Sequence, residues 1–465
     1  MNQLKNGLMV LSGAFILSLV ALYNGFPLVY SDTGTYIYSG FDLFVPVDRP
    51  IVYGLLIRLF SLKFSLWIVI FMQNLMTAFI LFEVVRHFFA GNAMFLQIYV
   101  GLILFLTFFT GIAWYSNQLM PDFFIPLAVL AIFMLIRRKK MDFLPVVLIV
   151  AILLLALLTH FSHLLIATVL IGVLWMIRWV MKHYLADVSV RRLLMVTVVI
   201  ASAWLILPAV NYAVDQEFSI SKGSHVFLMA HLNETGILKK FLDENCPNDE
   251  YRDCKLCMVK DSLPADVASF IWSGKVLEKT GGWIESRKEY NKIIFGTIKD
   301  PEFLVRNVFS SLTYGLVQLT RNDIGEGLSA YNPGSPPYDQ VKWWFPHELN
   351  SYQNSKQNKW DGINLKFEVL NIVQVLLLVV NLFVLLVVFT GKTMLPEKEI
   401  HYLLLFVMVA ILVNSMVTAG LNAPYERYQS RIVWLLPMAT LVMILHFGRV
   451  GKWLFMAGKM MKKQD

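Results

Sequence analysis

The sequence of 465 residues contains 57% hydrophobic and only 15% charged residues, and its mean hydropathy is +0.60. These values exclude a soluble multidomain protein, because the apolar residues come in long blocks, and a block of roughly 20 such residues can cross a bilayer. The formal net charge is +8, but the basic residues lie in short segments beside the apolar blocks. That placement follows the positive-inside rule and argues against nucleic acid as a partner.

The apolar blocks predict an all-α polytopic membrane protein with about ten transmembrane helices. Seven spans lie in residues 1–212 and three lie in residues 366–465. The predicted spans are 8–26, 64–85, 93–113, 121–136, 143–159, 162–180, 193–212, 366–390, 401–420 and 432–447. The fifth and sixth are separated so briefly that a single kinked element is an alternative. With a cytoplasmic N-terminus, every basic cluster between spans, and the basic C-terminal tail, falls in the cytoplasm.

One long polar stretch, residues 213–365, separates the seventh and eighth predicted spans, and we call it the outer segment. Turn signals and patches of helical periodicity predict a small, mostly helical domain on the outer side. The three cysteines, Cys246, Cys254 and Cys257, all lie within it. In an exported compartment an oxidised pair is expected, and we favour Cys246–Cys257, because it closes the longest loop. A zinc site would need two more ligands, and no strand–helix context supports redox chemistry.

The predicted cytoplasmic loops are short, and the sequence has no Gly-rich phosphate loop. ATP-driven transport and nucleotide-sugar chemistry at an inner domain are therefore excluded as interpretations. Polar residues with chemical potential collect instead on the predicted outer side. They are Asp32, Asp48, Asn117, Gln118, Asp122, His160, His163, Glu426, Arg427 and Arg431. Because that side has no pool of nucleotide sugars, a group-transfer enzyme would need an activated donor held in the membrane, such as a polyprenyl-phosphate sugar.

Four short motifs resemble the GT-C superfamily of integral membrane glycosyltransferases in their order and in their shared side of the membrane. They are Ser31-Asp-Thr-Gly-Thr-Tyr36 and Arg49-Pro-Ile-Val-Tyr53 in the outer loop 27–63, Asn117-Gln-Leu-Met-Pro-Asp122, and Tyr425-Glu-Arg-Tyr-Gln-Ser-Arg431. The resemblance covers the membrane part, about two thirds of the chain. The outer segment is also similar to a loop of uncharacterised bacterial members.

The resemblance implies roles for four of the charged residues. Asp32 would be the base that activates an acceptor hydroxyl, with Asp48 as its nearest rival. Arg427 or Arg431 would hold the phosphate of the lipid donor, because a guanidinium binds phosphate through two hydrogen bonds. The expected partners are a lipid-linked sugar donor, membrane lipids, and an envelope lipid, glycan or protein as acceptor. The expected location is the bacterial inner membrane, with both termini in the cytoplasm.

The remaining candidates are Asp122, His160 and His163. Asp122 would orient the acceptor or hold a divalent cation such as Mg²⁺ or Mn²⁺, with His163 as a further ligand. Either histidine would otherwise donate a hydrogen bond to the phosphate. No other cofactor is expected.

Each of these residues also has a structural interpretation. Asp32 lies in a sequence suited to a turn, and Asp122 follows a proline at a possible helix start. The two histidines can pack at the membrane interface, and the two arginines can contact lipid headgroups.

Two other functions compete with glycosyl transfer. The first is a membrane acyltransferase that uses an intramembrane histidine such as His160. The second is a lipid or glycan transporter or flippase. A transporter is expected to contain paired repeats and broken helices, and the sequence shows no internal similarity.

Overall fold

The computed structural model describes residues 3–138, 142–181, 187–359, 365–390 and 398–447. The predicted basic C-terminal tail lies outside these residues. The N-terminal part contains α1 (Gln3–Leu17), α2 (Leu19–Asn24), α3 (Thr33–Asp42), α4 (Val52–Ser61), α5 (Leu66–Phe89), α6 (Phe95–Phe109), α7 (Ile112–Ser116), α8 (Phe124–Arg137), α9 (Phe143–Thr159), α10 (Phe161–Val180) and α11 (Val190–Asp215).

The outer segment contains α12 (Ser224–Glu234), α13 (Ile237–Asn245), α14 (Lys255–Val259), α15 (Val267–Trp272), α16 (Gly282–Glu285), α17 (Arg287–Lys299), α18 (Pro301–Thr320), α19 (Pro336–Trp344) and α20 (Leu349–Gln353). The C-terminal part contains α21 (Glu368–Thr390), α22 (Lys398–Leu421) and α23 (Glu426–Val433). Short 3₁₀ turns lie at Pro121–Phe123, Lys260–Ser262 and Pro346–Glu348. The all-α prediction therefore holds for the described residues, which pair as a β-bridge only at Leu28 and Gln118.

Among the described residues, seven helical stretches are long and apolar enough to cross a membrane. They are Gln3–Asn24, Leu66–Phe89, Phe161–Val180, Val190–Asp215, Glu368–Thr390, Lys398–Leu421 and Glu426–Phe447. A multi-pass membrane protein follows from them. The other three predicted spans correspond to α6, α8 and α9, which have 15, 14 and 17 residues. At about 1.5 Å per residue, each of these helices is shorter than the roughly 30 Å hydrocarbon core, so the count of ten stays a prediction.

Helix α8 lies at the centre of the membrane part. Every residue from Phe124 to Arg137 is buried, as expected for a helix that is apolar on all sides. It packs against α5, α9, α10, α11 and α22. Helix α21 is the opposite case, because most of its apolar side chains are exposed, as on a lipid-facing helix.

The outer loop 27–63 folds into the helix pair α3 and α4, which lies where α5 begins. The two helices approach at Gly40 and Gly54, where a Cβ on Gly40 would lie 2.1 Å from the Gly54 carbonyl oxygen. Only glycine permits this backbone contact. The packing holds the start of α3, with Asp32 before it, close to the membrane helices.

Residues of the outer segment contribute to two different hydrophobic cores. Residues from α12 to α17 form a core of their own, and it contains the predicted disulfide between Cys246 and Cys257, with a Cα–Cα distance of 5.8 Å. Cys254 is free and buried. By contrast, α19 and α20 belong to the membrane core, where Trp344 stacks on Phe41 of α3 at 4.6 Å. The segment predicted as one domain is thus partly built into the membrane part.

Ion pairs join the helix ends that lie farthest from α3 and α4. Arg137 contacts Asp187 at 2.9 Å and Glu399 at 2.6 Å, and Glu399 also lies 3.6 Å from His87. Arg138 pairs with the buried Glu83 nearby. The predicted cytoplasmic connections therefore meet at one end of the helix bundle, opposite the cluster of candidate residues described next.

Candidate functional site

Asp32 lies between two arginines from distant parts of the chain. Its Oδ1 is 3.2 Å from Nη2 of Arg49, and its Oδ2 is 3.4 Å from Nη1 of Arg427. Asp32 occupies the N-cap position of α3 without capping it through its side chain, and the turn is closed instead by Thr33, whose Oγ1 accepts from the Tyr30 amide. The Asp32 carboxylate is therefore available to the arginines, and 23% of its side chain remains exposed.

Asp48 binds one of these arginines. Its Oδ1 accepts from Nε of Arg49 at 3.1 Å and its Oδ2 from Nη2 at 2.5 Å. The Arg49 guanidinium also lies over the Tyr36 ring, 5.1 Å from its centre. Asp48 thus positions Arg49 rather than facing open space. Sequence reasoning quoted Arg49 within a motif and gave it no role.

Arg427 is held between two aromatic rings at the start of α23. Its guanidinium carbon lies 4.6 Å from the centre of the Tyr30 ring and 5.1 Å from that of Tyr428. Its backbone N–H donates to Oε2 of Glu326 at 2.7 Å. Cation–π contacts of this kind orient a guanidinium without occupying its N–H groups.

Glu326 belongs to a loop of residues 321–335, which we call the covering loop. Glu426 ties this loop to α23, because its carboxylate accepts from the Asp323 amide at 2.9 Å and pairs with Arg321 at 3.2 Å. Asn371 of α21 bonds the Ile324 backbone from the other side. The covering loop is thus attached to two membrane helices. Sequence reasoning missed Glu326, whose only local signal is the surrounding Gly-Glu-Gly.

A second ion pair is completely buried. Nη1 of Arg431 lies 3.0 Å from Oδ1 of Asp122, and their side chains are 0% and 2% exposed. Arg431 also lies over the Tyr428 ring, at 5.2 Å from its centre, so Tyr428 contacts both Arg427 and Arg431. Nε and Nη2 of Arg431 have no hydrogen-bond partner within the described residues. Buried donors are rarely left unpaired, so this guanidinium retains binding capacity.

The two predicted histidines stack on each other beside the buried pair. Their ring centres are 4.9 Å apart at an interplanar angle of 28°. Nδ1 of His160 accepts from the Ser162 amide, so its proton lies on Nε2 in the neutral ring. Nδ1 of His163 faces the Ala156 carbonyl at 3.1 Å and must donate, which leaves the lone pair on Nε2. That Nε2 is buried without a partner among the described residues.

The predicted residues therefore form one connected region. Asp32 and Asp48 join through Arg49, Asp32 joins Arg427, and Asp122 joins Arg431. The charges of Asp122 and Arg431 act on His163, and those of Arg427 and Arg431 act on His160.

The two carboxylates beside Arg427 differ in proton affinity. Burial acts to raise the pKa of Asp32, but the charges of Arg49 and Arg427 outweigh it and hold that pKa below the ordinary 3.8. Burial raises the pKa of Glu326 above the ordinary 4.5, and the Arg427 amide and charge offset this only in part. Asp32 is consequently a stable anion, whereas Glu326 binds a proton more readily.

The predicted divalent cation stays a prediction. Across the described residues, no three His, Cys, Asp or Glu side chains are grouped as a metal site. Asp122 and His163 would supply two ligands, and Asp122 is already paired with Arg431. Because Arg431 already holds the Asp122 carboxylate, we derive no step through a metal.

Comparison with known proteins gives no assignment. No protein-family model matches the chain, and no curated protein or solved structure is significantly similar to it. The roles proposed below therefore rest on the geometry and on the motifs.

Proposed function

We propose that the protein is a GT-C-like membrane glycosyltransferase with about ten spans. It would move a sugar from a polyprenyl-phosphate donor to a lipid, glycan or protein acceptor on the outer face of the membrane. The observation that carries the proposal is the position of Asp32 between Arg49 and Arg427, at distances of 3.2 and 3.4 Å. A carboxylate and two guanidinium groups at one end of a helix bundle suit a reaction in which a phosphate leaves and a hydroxyl attacks.

The arginines meet the main chemical demand of such a transfer. A lipid phosphate that leaves the anomeric carbon carries growing negative charge, and pre-placed cations stabilise it. Arg427 and Arg49 are both fixed by aromatic rings and carboxylates, so they need no rearrangement to meet that charge. Arg431 adds unpaired donors deeper in the same region.

A groove beside the covering loop supports a lipid-borne donor. It has a volume of about 570 Å³ and is lined by Asp323, Phe367, Glu368, Asn371, Ile372, Val375 and Leu376. Ile372, Val375 and Leu376 of α21 supply apolar lining, and Asp323, Glu368 and Asn371 supply polar lining. Phe367 lies against Gly325, next to Glu326. An isoprenoid chain in this groove would bring its phosphate close to the site.

The charge distribution supports the proposed orientation. The ion pairs of Arg137 join helix ends that lie beside basic segments of the sequence. Basic segments between spans face the cytoplasm. The Asp32 end of the bundle would then face outward. Both termini would lie in the cytoplasm, and in a bacterium the membrane would be the inner one.

The tautomers of His160 and His163 bear on the acyltransferase alternative. A histidine base needs a free lone pair, and Nδ1 of His160 already accepts from Ser162 while Nε2 carries the proton. His163 has its lone pair on Nε2 but is completely buried. His160 is therefore poorly suited as a base in this arrangement.

The proposed function is tested by mass analysis of lipids and envelope glycans from a strain that lacks the protein. We expect one polyprenyl-phosphate sugar to accumulate and one glycosylated product to disappear, and the intact gene should restore both. A missing acyl group with unchanged sugars would support the acyltransferase instead. Unchanged glycans together with a lipid confined to one leaflet would support a transporter.

A further inference from the structure

We infer that Glu326 is the group that receives the proton of the acceptor hydroxyl, and that Asp32 and Asp48 hold the arginines in place. This inference rests on the proposed function and changes the role that the GT-C resemblance assigns to Asp32. It also gives a task to the covering loop, for which the motifs offer none. The evidence lies in what each of the three carboxylates already binds.

Asp32 and Asp48 are already engaged by cations. Both oxygens of Asp32 face guanidinium nitrogens, and both oxygens of Asp48 accept from Arg49. For Asp32 the two arginines hold the pKa below its ordinary value, so this carboxylate is a weak base. Such carboxylates are better suited to fixing the arginines that receive the phosphate charge.

Glu326 is adjacent to the same arginine and remains uncommitted. Its Oε2 accepts from the Arg427 backbone amide at 2.7 Å, while the Arg427 side chain turns to Asp32. Within the described part of the chain, Glu326 makes no ion pair closer than 4.0 Å, and Oε1 accepts no hydrogen bond. Arg427 thus contacts both carboxylates, because its side chain binds Asp32 and its backbone amide donates to Glu326.

Burial favours the protonated form of Glu326, and the amide and charge of Arg427 oppose it only in part. Apart from Arg427, the groups that act on it most strongly are the carboxylates of Glu426 and Asp122. The phenols in electrostatic range are those of Tyr30, Tyr115 and Tyr425. Burial and two neighbouring acids together raise the pKa of Glu326. A base works best when its pKa lies near the working pH.

The backbone on either side of Glu326 holds it in position. Gly325 and Gly327 both have positive φ, at 109° and 71°. A Cβ on Gly325 would lie 2.2 Å from the Phe367 ring, and one on Gly327 would lie 1.7 Å from the Tyr30 ring. Glycine is required at both positions, since other residues would clash and be strained. This close packing fixes the backbone that carries Glu326 beside the Arg427 amide.

A purely structural role as a helix cap explains less. Glu326 accepts from an amide in the first turn of α23, as a capping acid does. The positive end of a helix normally lowers the pKa of such an acid, whereas the pKa of Glu326 is raised. Its charged form is therefore disfavoured by the fold. Groups that lower stability in this way are typical of functional sites.

The proposed step balances as a single displacement. The acceptor oxygen attacks the anomeric carbon with a lone pair, and the bond from that carbon to the phosphate oxygen breaks. The electron pair leaves on the polyprenyl phosphate, where Arg427 and Arg49 stabilise it. The hydroxyl proton passes to the Glu326 carboxylate, which later releases it to water.

Stability against pH separates the two carboxylates without any assay of transfer. The folded pKa of Glu326 lies above its unfolded value, so its contribution is fully present below about pH 4.5 and is lost as the pH rises through the folded pKa. Compared with the wild-type protein, Glu326→Gln should therefore have a higher melting temperature at pH 8, and the gain should be smaller at pH 4.5. The folded pKa of Asp32 is lowered, so Asp32→Asn should lower the melting temperature at pH 8. A fall for Glu326→Gln at pH 8 would overturn the inference.

Transfer is then measured in detergent-permeabilised membranes whose polyprenyl-phosphate hexose pool is labelled in the sugar. Glu326→Gln should lose about 100-fold or more of the rate, a typical loss for a general base. Sodium formate should partly restore the rate of Glu326→Ala, because a free carboxylate can take the proton. Asp253→Asn, at an exposed acid just before α14 and outside the site, serves as the control and should keep the wild-type rate.

The outcomes separate this inference from the proposed function. If Glu326→Gln transfers at the wild-type rate while Asp32→Asn does not, the role of Glu326 is wrong and the glycosyltransferase stands. If formate gives no rescue of Glu326→Ala, a positioning role replaces proton transfer and the inference fails. If the wild-type membranes transfer no sugar, the proposed function itself fails.

Discussion

The buried pair of Asp122 and Arg431 gives a prediction whose size follows from its surroundings. The side chains are 2% and 0% exposed, and Asp122 is the one acid within 4.0 Å of Arg431 in the described residues. Nε and Nη2 of Arg431 already lack partners there. Asp122→Leu would leave a whole guanidinium charge buried and unpaired. Breaking a buried pair in this way costs about 3–5 kcal/mol.

The double variant Asp122→Leu with Arg431→Met separates stability from function. Replacing both charges with apolar side chains of similar volume is often neutral or stabilising, so the double variant should unfold close to the wild-type protein. It should still fail to transfer sugar, because Arg431 is proposed to bind the donor phosphate. The assay is thermal unfolding in detergent for the single and double variants, with transfer measured in membranes. A double variant that stays as unstable as Asp122→Leu, or that transfers normally, would refute this reasoning.

Two further predictions concern the outer segment. Cys246→Ser opens a disulfide loop with a sequence separation of 11, which should cost about 3 kcal/mol by chain entropy; limited proteolysis should then cut residues 224–303 faster and leave the membrane helices intact. Gly327→Ala should displace the covering loop and lower transfer strongly, because its Cβ would lie 1.7 Å from the Tyr30 ring. Gly334→Ala is its matched control, with φ at 88° but open space around the Cβ; equal transfer rates for the two variants would contradict the packing account.

The membrane helices were predictable because long apolar blocks leave few alternatives. Span 64–85 corresponds to α5 (Leu66–Phe89), and span 401–420 corresponds to α22 (Lys398–Leu421). Span 143–159 has the bounds of α9 (Phe143–Thr159). The predicted spans at α6 and α8 are longer than those helices, because hydropathy does not show where an apolar helix ends.

Most residues of the site could be predicted from the sequence, but the contacts between them could not. Charge placement and the motif resemblance selected Asp32 and Arg427, but 395 residues separate them, and only helix packing brings them together. Asp48 was ranked as a rival base although its neighbour Arg49 was visible in the sequence and takes both of its oxygens. Glu326 lies in a loop without periodicity, so its position beside Arg427 depends on tertiary structure alone.

The organisation of the outer segment also required tertiary information. Residues 213–365 form one polar stretch in the sequence, and no composition shift separates α17 from α19. The structure nevertheless joins α19 to the membrane core through the stacking of Trp344 on Phe41. Trp344 therefore attaches the outer segment to α3.

The central claim is tested most directly by the lipid-linked sugars of a strain that carries only Asp32→Asn. Mass analysis should show the accumulated polyprenyl-phosphate sugar and the missing product of the null strain, although the variant is present in the membrane at the wild-type level. Asp42→Asn, at an exposed acid in the last position of α3, should restore the wild-type pattern. A wild-type pattern from Asp32→Asn would contradict the account.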